Sequence, residues 1–113
     1  MPQLSPGITN KHSYQSINQI IALWEELVNK QEYINTLLIE LRSKFKEKEY
    51  AEIKLLLFNK THDDWVIFKN SKAELDSSEY LGFKRYKEVK ASSMLESTKS
   101  YIQYLESIKD SIK

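Results

Sequence analysis

From Ile8 to Leu81 the chain contains neither glycine nor proline. Glycine supplies positive-φ turns and proline breaks helices, so so long a stretch without either favours helices joined by short polar connections. Across that span the same absence rules out Gly-rich phosphate loops, dinucleotide fingerprints and Gly-x-Ser-x-Gly elbows. Pro2, Pro6 and Gly7 crowd the first seven residues. Residues 1–12 therefore read as a flexible lead-in and 13–113 as a single helical domain.

The strongest pattern runs from Ile17 to Phe45. Ile17, Ile20, Trp24, Leu27, Gln31, Ile34, Leu38, Leu41 and Phe45 alternate spacings of three and four, and Ile21, Val28 and Leu37 widen the stripe. This predicts an amphipathic helix started by Ser13 or Ser16. Gln31 stands where the seam calls for an apolar side chain, so the segment is one long helix, a helical hairpin turning there, or a coiled coil with a polar register residue. A second clear helix begins at a capping box of Ser93 and Glu96 and continues through Leu95, Tyr101, Ile102, Leu105, Ile108 and Ile112.

The middle is less regular. "KEYAEIKLLLFNK" continues as helix through Ile53, Leu56 and Leu57, and "DSSEYLGFKRYKEVK" reads as a short helix capped by Ser77 or Ser78. A competing reading makes "IKLLLF" and "WVIFK" a β-hairpin across 53–69, since both are rich in strand-favouring residues. That loop has no glycine and the hairpin would have no third strand, so helix is preferred. The expected fold is a small all-α bundle of four to six helices, the long N-terminal helix or hairpin packing antiparallel against the C-terminal helix. The alternative is α+β with that one hairpin.

Composition then narrows the function. The 113 residues hold 17 basic and 16 acidic groups, so no global field draws in nucleic acid or an anionic membrane. Only Arg42 and Arg85 are arginines, which argues mildly against a dedicated nucleic-acid reader. The absence of cysteine removes disulfides, thiolate zinc sites and thiol catalysis. Apolar runs such as "IIALW" and "LLLF" are too short to cross a bilayer, and a soluble, cytoplasmic protein is expected.

"NKTHDDW", Asn59 to Trp65, gathers a histidine, two aspartates and a tryptophan. Imidazole and carboxylates bind metals and move protons, yet neighbouring residues on a helix diverge and the only other histidine is His12. The stretch reads better as a helix start, with Thr61 capping, Asp64 completing a near-capping box and Asp63 favouring the helix dipole. "GFKRYKEVK" is a second candidate. Lys84, Arg85, Lys87 and Lys90 interleave with Phe83 and Tyr86, the pairing of cations and aromatics that phosphate contact and base stacking need. On a helix these residues would divide between faces. "RSKFKEKE" alternates its charges and reads as a solvated helix end.

No catalytic pairing, metal or cofactor spacing emerges, and no small-molecule substrate is expected. The leading expectation is a non-enzymatic helical interaction module: an adaptor, inhibitor, immunity factor or small complex subunit. Its partner would be another protein or a second copy, met through Trp24, Gln31 and Trp65. Some of the seven tyrosines should also be half-exposed, as interface aromatics are. The alternative is weak nucleic-acid binding through Lys84, Arg85, Tyr86, Lys87 and Lys90.

Overall fold

A computed structural model describes residues 6–112, with side chains from Ile17 onward. Three helices make up the described residues: α1 (Pro6–Lys46), α2 (Ala51–Ser77) and α3 (Tyr86–Ser111), with one 3-10 turn at Ser78–Tyr80. The all-α class holds, but the expected four to six helices reduce to three. The difference lies in where the chain breaks. α1 passes Gln31 without a turn, and the Gln31 amide donates to Asn35 Oδ1 at 3.2 Å along the helix surface. Its start is Pro6 rather than Ser13 or Ser16, and residues 1–5 of the expected lead-in lie outside the described residues.

α1 and α2 reverse through 47–50 with no glycine. Glu47 and Lys48 donate backbone bonds to Lys44 and Phe45, and Tyr50 then takes the left-handed conformation at φ 60°. The 53–69 segment is helix throughout, so the hairpin alternative is overturned. Hydrogen bonding within one helix satisfies these backbone groups, whereas a lone hairpin would leave two open edges. The second reversal uses the 3-10 turn and Gly82 at φ 83°. The short helix expected around 77–90 is therefore the end of α2, a turn and the first residues of α3. Ser93 is not a cap: α3 starts at Tyr86, and buried Ser93 donates to Asp76 Oδ2 across to α2 at 2.7 Å.

Two reversals bring α3 alongside α1 in parallel, correcting the expected antiparallel packing. The register is visible in three contacts. Lys99 pairs with Glu26 at 3.3 Å, the Tyr33 hydroxyl donates to Glu106 at 2.8 Å, and Lys109 pairs with Glu40 at 3.1 Å. Glu26, Tyr33 and Glu40 recur every seventh residue, the interval at which a helix returns to the same face of a packed neighbour. These exposed pairs set register more than stability.

The core lies where all three helices meet. Ile34, Leu37, Leu38 and Leu41 of α1 close on Phe58 of α2 and on Tyr101 and Leu105 of α3. Each such side chain stabilises the fold by about 1.5–3 kcal/mol relative to exposure. Toward the other end the buried positions are mostly small, Ala73 and Ser77 on α2 and Ala91, Ser93, Ser97 and Thr98 on α3, with Leu27 of α1 and Leu95 of α3 the large ones. The molecule is elongated, 71 × 22 × 15 Å. No described helix is long and apolar enough to cross a membrane.

Candidate functional site

"NKTHDDW" lies in the middle of α2, not at its start. Thr61 caps nothing, its hydroxyl donating to Leu57 O at 2.8 Å one turn back. The helix then sends the stretch's polar groups in opposite directions. His62 faces α3, with Nδ1 3.0 Å from the Tyr101 hydroxyl, which donates when that nitrogen is bare. Asp64 faces outward and pairs with Lys60 at 2.7 Å. Among the described residues no three His, Asp or Glu side chains are grouped to hold a metal ion.

His62 and Tyr101 belong to an aromatic stack. Trp65 lies on Tyr101 with centroids 4.1 Å apart and planes 10° from parallel, and Lys69 Nζ sits 4.8 Å from the Trp65 ring. Burial lowers the His62 pKa, helped by the Arg42 charge, and pushes the Tyr101 hydroxyl up to about 12. Arg42 stays close because its Nε donates to Asn59 Oδ1 at 2.9 Å, clamping α1 to α2. Both rings thus favour their neutral forms, which suits a packing role.

The three contact residues expected from the sequence separate accordingly. Trp65 is half-buried and spent within the fold. Gln31 is half-buried and engaged with Asn35. Trp24 remains 42% exposed, in a shallow depression of about 490 Å³ with Ile21, Glu25, Val28 and Asn29. Ile17 continues this open stripe toward the N-terminus, exposed like Ile21 and Val28.

The basic candidates lie close to that stripe. A cleft of about 590 Å³ runs between α1 and the second reversal, lined by Ile17, Ile20, Gly82, Phe83, Lys84, Tyr86 and Lys87. Lys84 and Lys87 are exposed at its edge, Arg85 is exposed beside Tyr80 outside it, and Tyr86 and Lys90 are half-buried. Two of the aromatic faces are already occupied by cations of the same chain: Lys90 over Tyr86 at 5.7 Å and Arg85 over Tyr80 at 5.4 Å. Phe83, 69% exposed, is the open ring. Sequence reasoning found the cations but missed that Ile17 and Ile20 share their cleft. The missing signal was the parallel return of α3, which depends on the number of reversals.

A further surface escaped the sequence reading. α2 carries large apolar side chains on its outer side, Ile53, Leu56, Leu57, Ile67, Phe68 and Leu75 all being exposed. Their clustering in "IKLLLF" and "WVIF" is the available signal, the same one that supports the competing strand reading. No known protein family, curated protein or solved structure matches this chain.

Proposed function

We propose that the protein is a non-enzymatic helical interaction module that docks an amphipathic, acid-flanked segment of another protein at the cleft between α1 and residues 82–87. The observation that carries this reading is the combination in one place of Ile17, Ile20 and exposed Phe83 with the cations Lys84 and Lys87. An apolar floor with a basic rim suits a helix whose apolar face is bordered by Asp or Glu. Trp24, Ile21 and Val28 extend the floor along α1, and a large exposed aromatic of this kind is a common interface anchor. The cytoplasm is the compartment proposed for it, since a cysteine-free chain needs no oxidising one.

Nucleic acid is the weaker occupant. Base stacking requires open aromatic faces, and the cations resting on Tyr80 and Tyr86 leave chiefly Phe83 for that purpose. The two readings separate in one experiment. Capture from native cells with wild type, Phe83→Ala and Lys84→Glu/Lys87→Glu should return a nuclease-resistant protein partner that both variants lose. Equal capture by all three forms would sink the proposal. Nuclease-sensitive, steeply salt-dependent capture would transfer the cleft to nucleic acid.

A further inference from the structure

α2 is apolar on two opposite sides. Phe58, His62, Trp65 and Ala73 turn inward to α1 and α3, and at about 100° per residue Ile53, Leu57, Lys60, Asp64, Ile67 and Ser71 form a stripe facing directly away. The inner set accounts for the fold. The outer set is largely left out of it: Leu57 is 57% and Ile67 65% exposed. Exposed large apolar side chains gathered on one helix face mark an interaction surface.

We infer that the outer face of α2 pairs with the same face of a second copy, antiparallel about a two-fold axis at the level of His62. The spacing of the stripe is its own mirror image, running four, three, four, three, four from Ile53 to Ser71. Reversal about His62 places Leu57 against Ile67 of the second copy, Leu56 level with Phe68, and Lys60 against Asp64. The ladder is made twice, as an isologous interface demands. Charge selects this direction. Within one chain Lys60 and Asp64 already pair at 2.7 Å while both remain largely exposed. An antiparallel partner adds two more opposite-charge contacts and makes a four-membered network at the centre. A parallel partner would set lysine on lysine and aspartate on aspartate. A central polar layer flanked by aliphatic layers is also how paired helices fix register.

A compact monomer of 13.4 kDa exposes about 6,500 Å². This chain exposes 8007 Å², more by roughly 1,500 Å², an excess that belongs to the whole elongated molecule. The surface is distinct from the Trp24–Phe83 cleft, so either can be lost without the other.

Light scattering and sedimentation of the purified chain should give twice the 13.4 kDa chain mass. Leu57→Glu and Ile67→Glu alter exposed positions and should leave helical circular dichroism unchanged, while weakening the dimer roughly 100-fold or more. Lys60→Asp puts four carboxylates at the centre and should dissociate the dimer, and adding Asp64→Lys should restore it. Because the chain has no cysteine, direction is read directly. Mixed Leu57→Cys and Ile67→Cys chains should cross-link to each other, and neither should cross-link alone. A wild-type monomer at tens of micromolar would overturn the inference. So would a dimer indifferent to positions 57 and 67, one lost on Trp24→Ala instead, or cross-linking of Leu57→Cys with itself.

Discussion

The two halves of α1 carry apolar stripes that the rest of the fold covers to different degrees. Ile34, Leu37, Leu38 and Leu41 are all buried, whereas in the first half Leu27 alone is buried and Ile17, Ile21, Trp24 and Val28 are about half exposed. The cause lies in what the other helices offer at each level. Opposite the second half stand Phe58, Tyr101 and Leu105, large enough to fill the space between three helices. The Glu26–Lys99 and Tyr33–Glu106 contacts set the register that brings Ser97 near the level of Trp24, where α2 contributes Ala73 and Ser77. Small side chains let α2 and α3 approach closely, as the 2.7 Å Ser93–Asp76 bond shows, and leave Leu95 as the one large buried side chain that α3 offers at this end. An apolar stripe therefore records that a helix has something to bury, not that its own chain buries it.

The largest effect expected is at the closed end. Leu41→Ala removes a fully buried side chain from a filled core and should cost about 3 kcal/mol in urea unfolding. A loss below about 1 kcal/mol would mean that the second half of α1 is as loosely covered as the first, and the contrast would fail.

The pH dependence sharpens the same contrast, because His62 sits at the closed end. Its folded-state pKa is lowered, first by burial and then by the Arg42 charge, so the unfolded chain takes up the proton first as the medium is acidified. Stability is thus at its reference level above the unfolded value of about 6.5 and declines as the pH falls below it. Below the folded-state pKa the loss stops growing. His62→Gln should flatten this segment of a stability–pH profile. A slope between pH 7 and 5 that is unchanged in the variant would assign the effect to carboxylates instead.

Some of this was legible in the residues and some was not. The helical class followed from the stretch without glycine and proline, and the Ile34–Leu41 core from its spacing. The turn at 47–50 was not legible, because Tyr50 adopts a left-handed conformation that glycine or asparagine normally marks. Without that boundary α1 runs into α2 and the parallel return of α3 is lost, while the surplus helices come from a break allowed at Gln31 and a separate short helix expected around 77–90. Ser93 failed for a related reason. Its spacing to Glu96 is that of a cap, but the same hydroxyl serves equally well as a buried donor to Asp76. Trp24 and Trp65 were indistinguishable as aromatic anchors until Tyr101 was seen to lie flat on one of them. Exposure of the basic residues at 84, 85 and 87 could be expected, but not the apolar neighbours from α1 that give them a cleft.

A smaller effect tests the thin end. Ser97 is buried, and its hydroxyl has no hydrogen-bond partner among the described residues. Ser97→Ala removes that uncompensated group and should raise stability by about 1 kcal/mol. A loss of similar size would show that the hydroxyl is satisfied, by water for instance, and that this end is better packed than its small residues suggest.

The smallest expected effect falls on Trp24, where the contrast is most exposed to failure. Trp24→Ala deletes the largest side chain of the open stripe, yet its ring lies beside Ile21 and Val28 on the surface rather than under another helix. Unfolding free energy should change by no more than about 0.5 kcal/mol. Fluorescence gives an independent reading, since Trp24 and Trp65 are the only tryptophans. In Trp65→Phe the remaining Trp24 emission should be red-shifted and readily quenched by acrylamide. In Trp24→Ala the remaining Trp65, stacked on Tyr101 and half-buried, should emit further to the blue and resist quenching. Similar spectra from the two variants would mean that the first half of α1 is covered in solution. A concentration dependence of the Trp24 signal would then tell whether a second copy supplies the cover, and persistence of that dependence in Leu57→Glu would move the self-contact from α2 to α1.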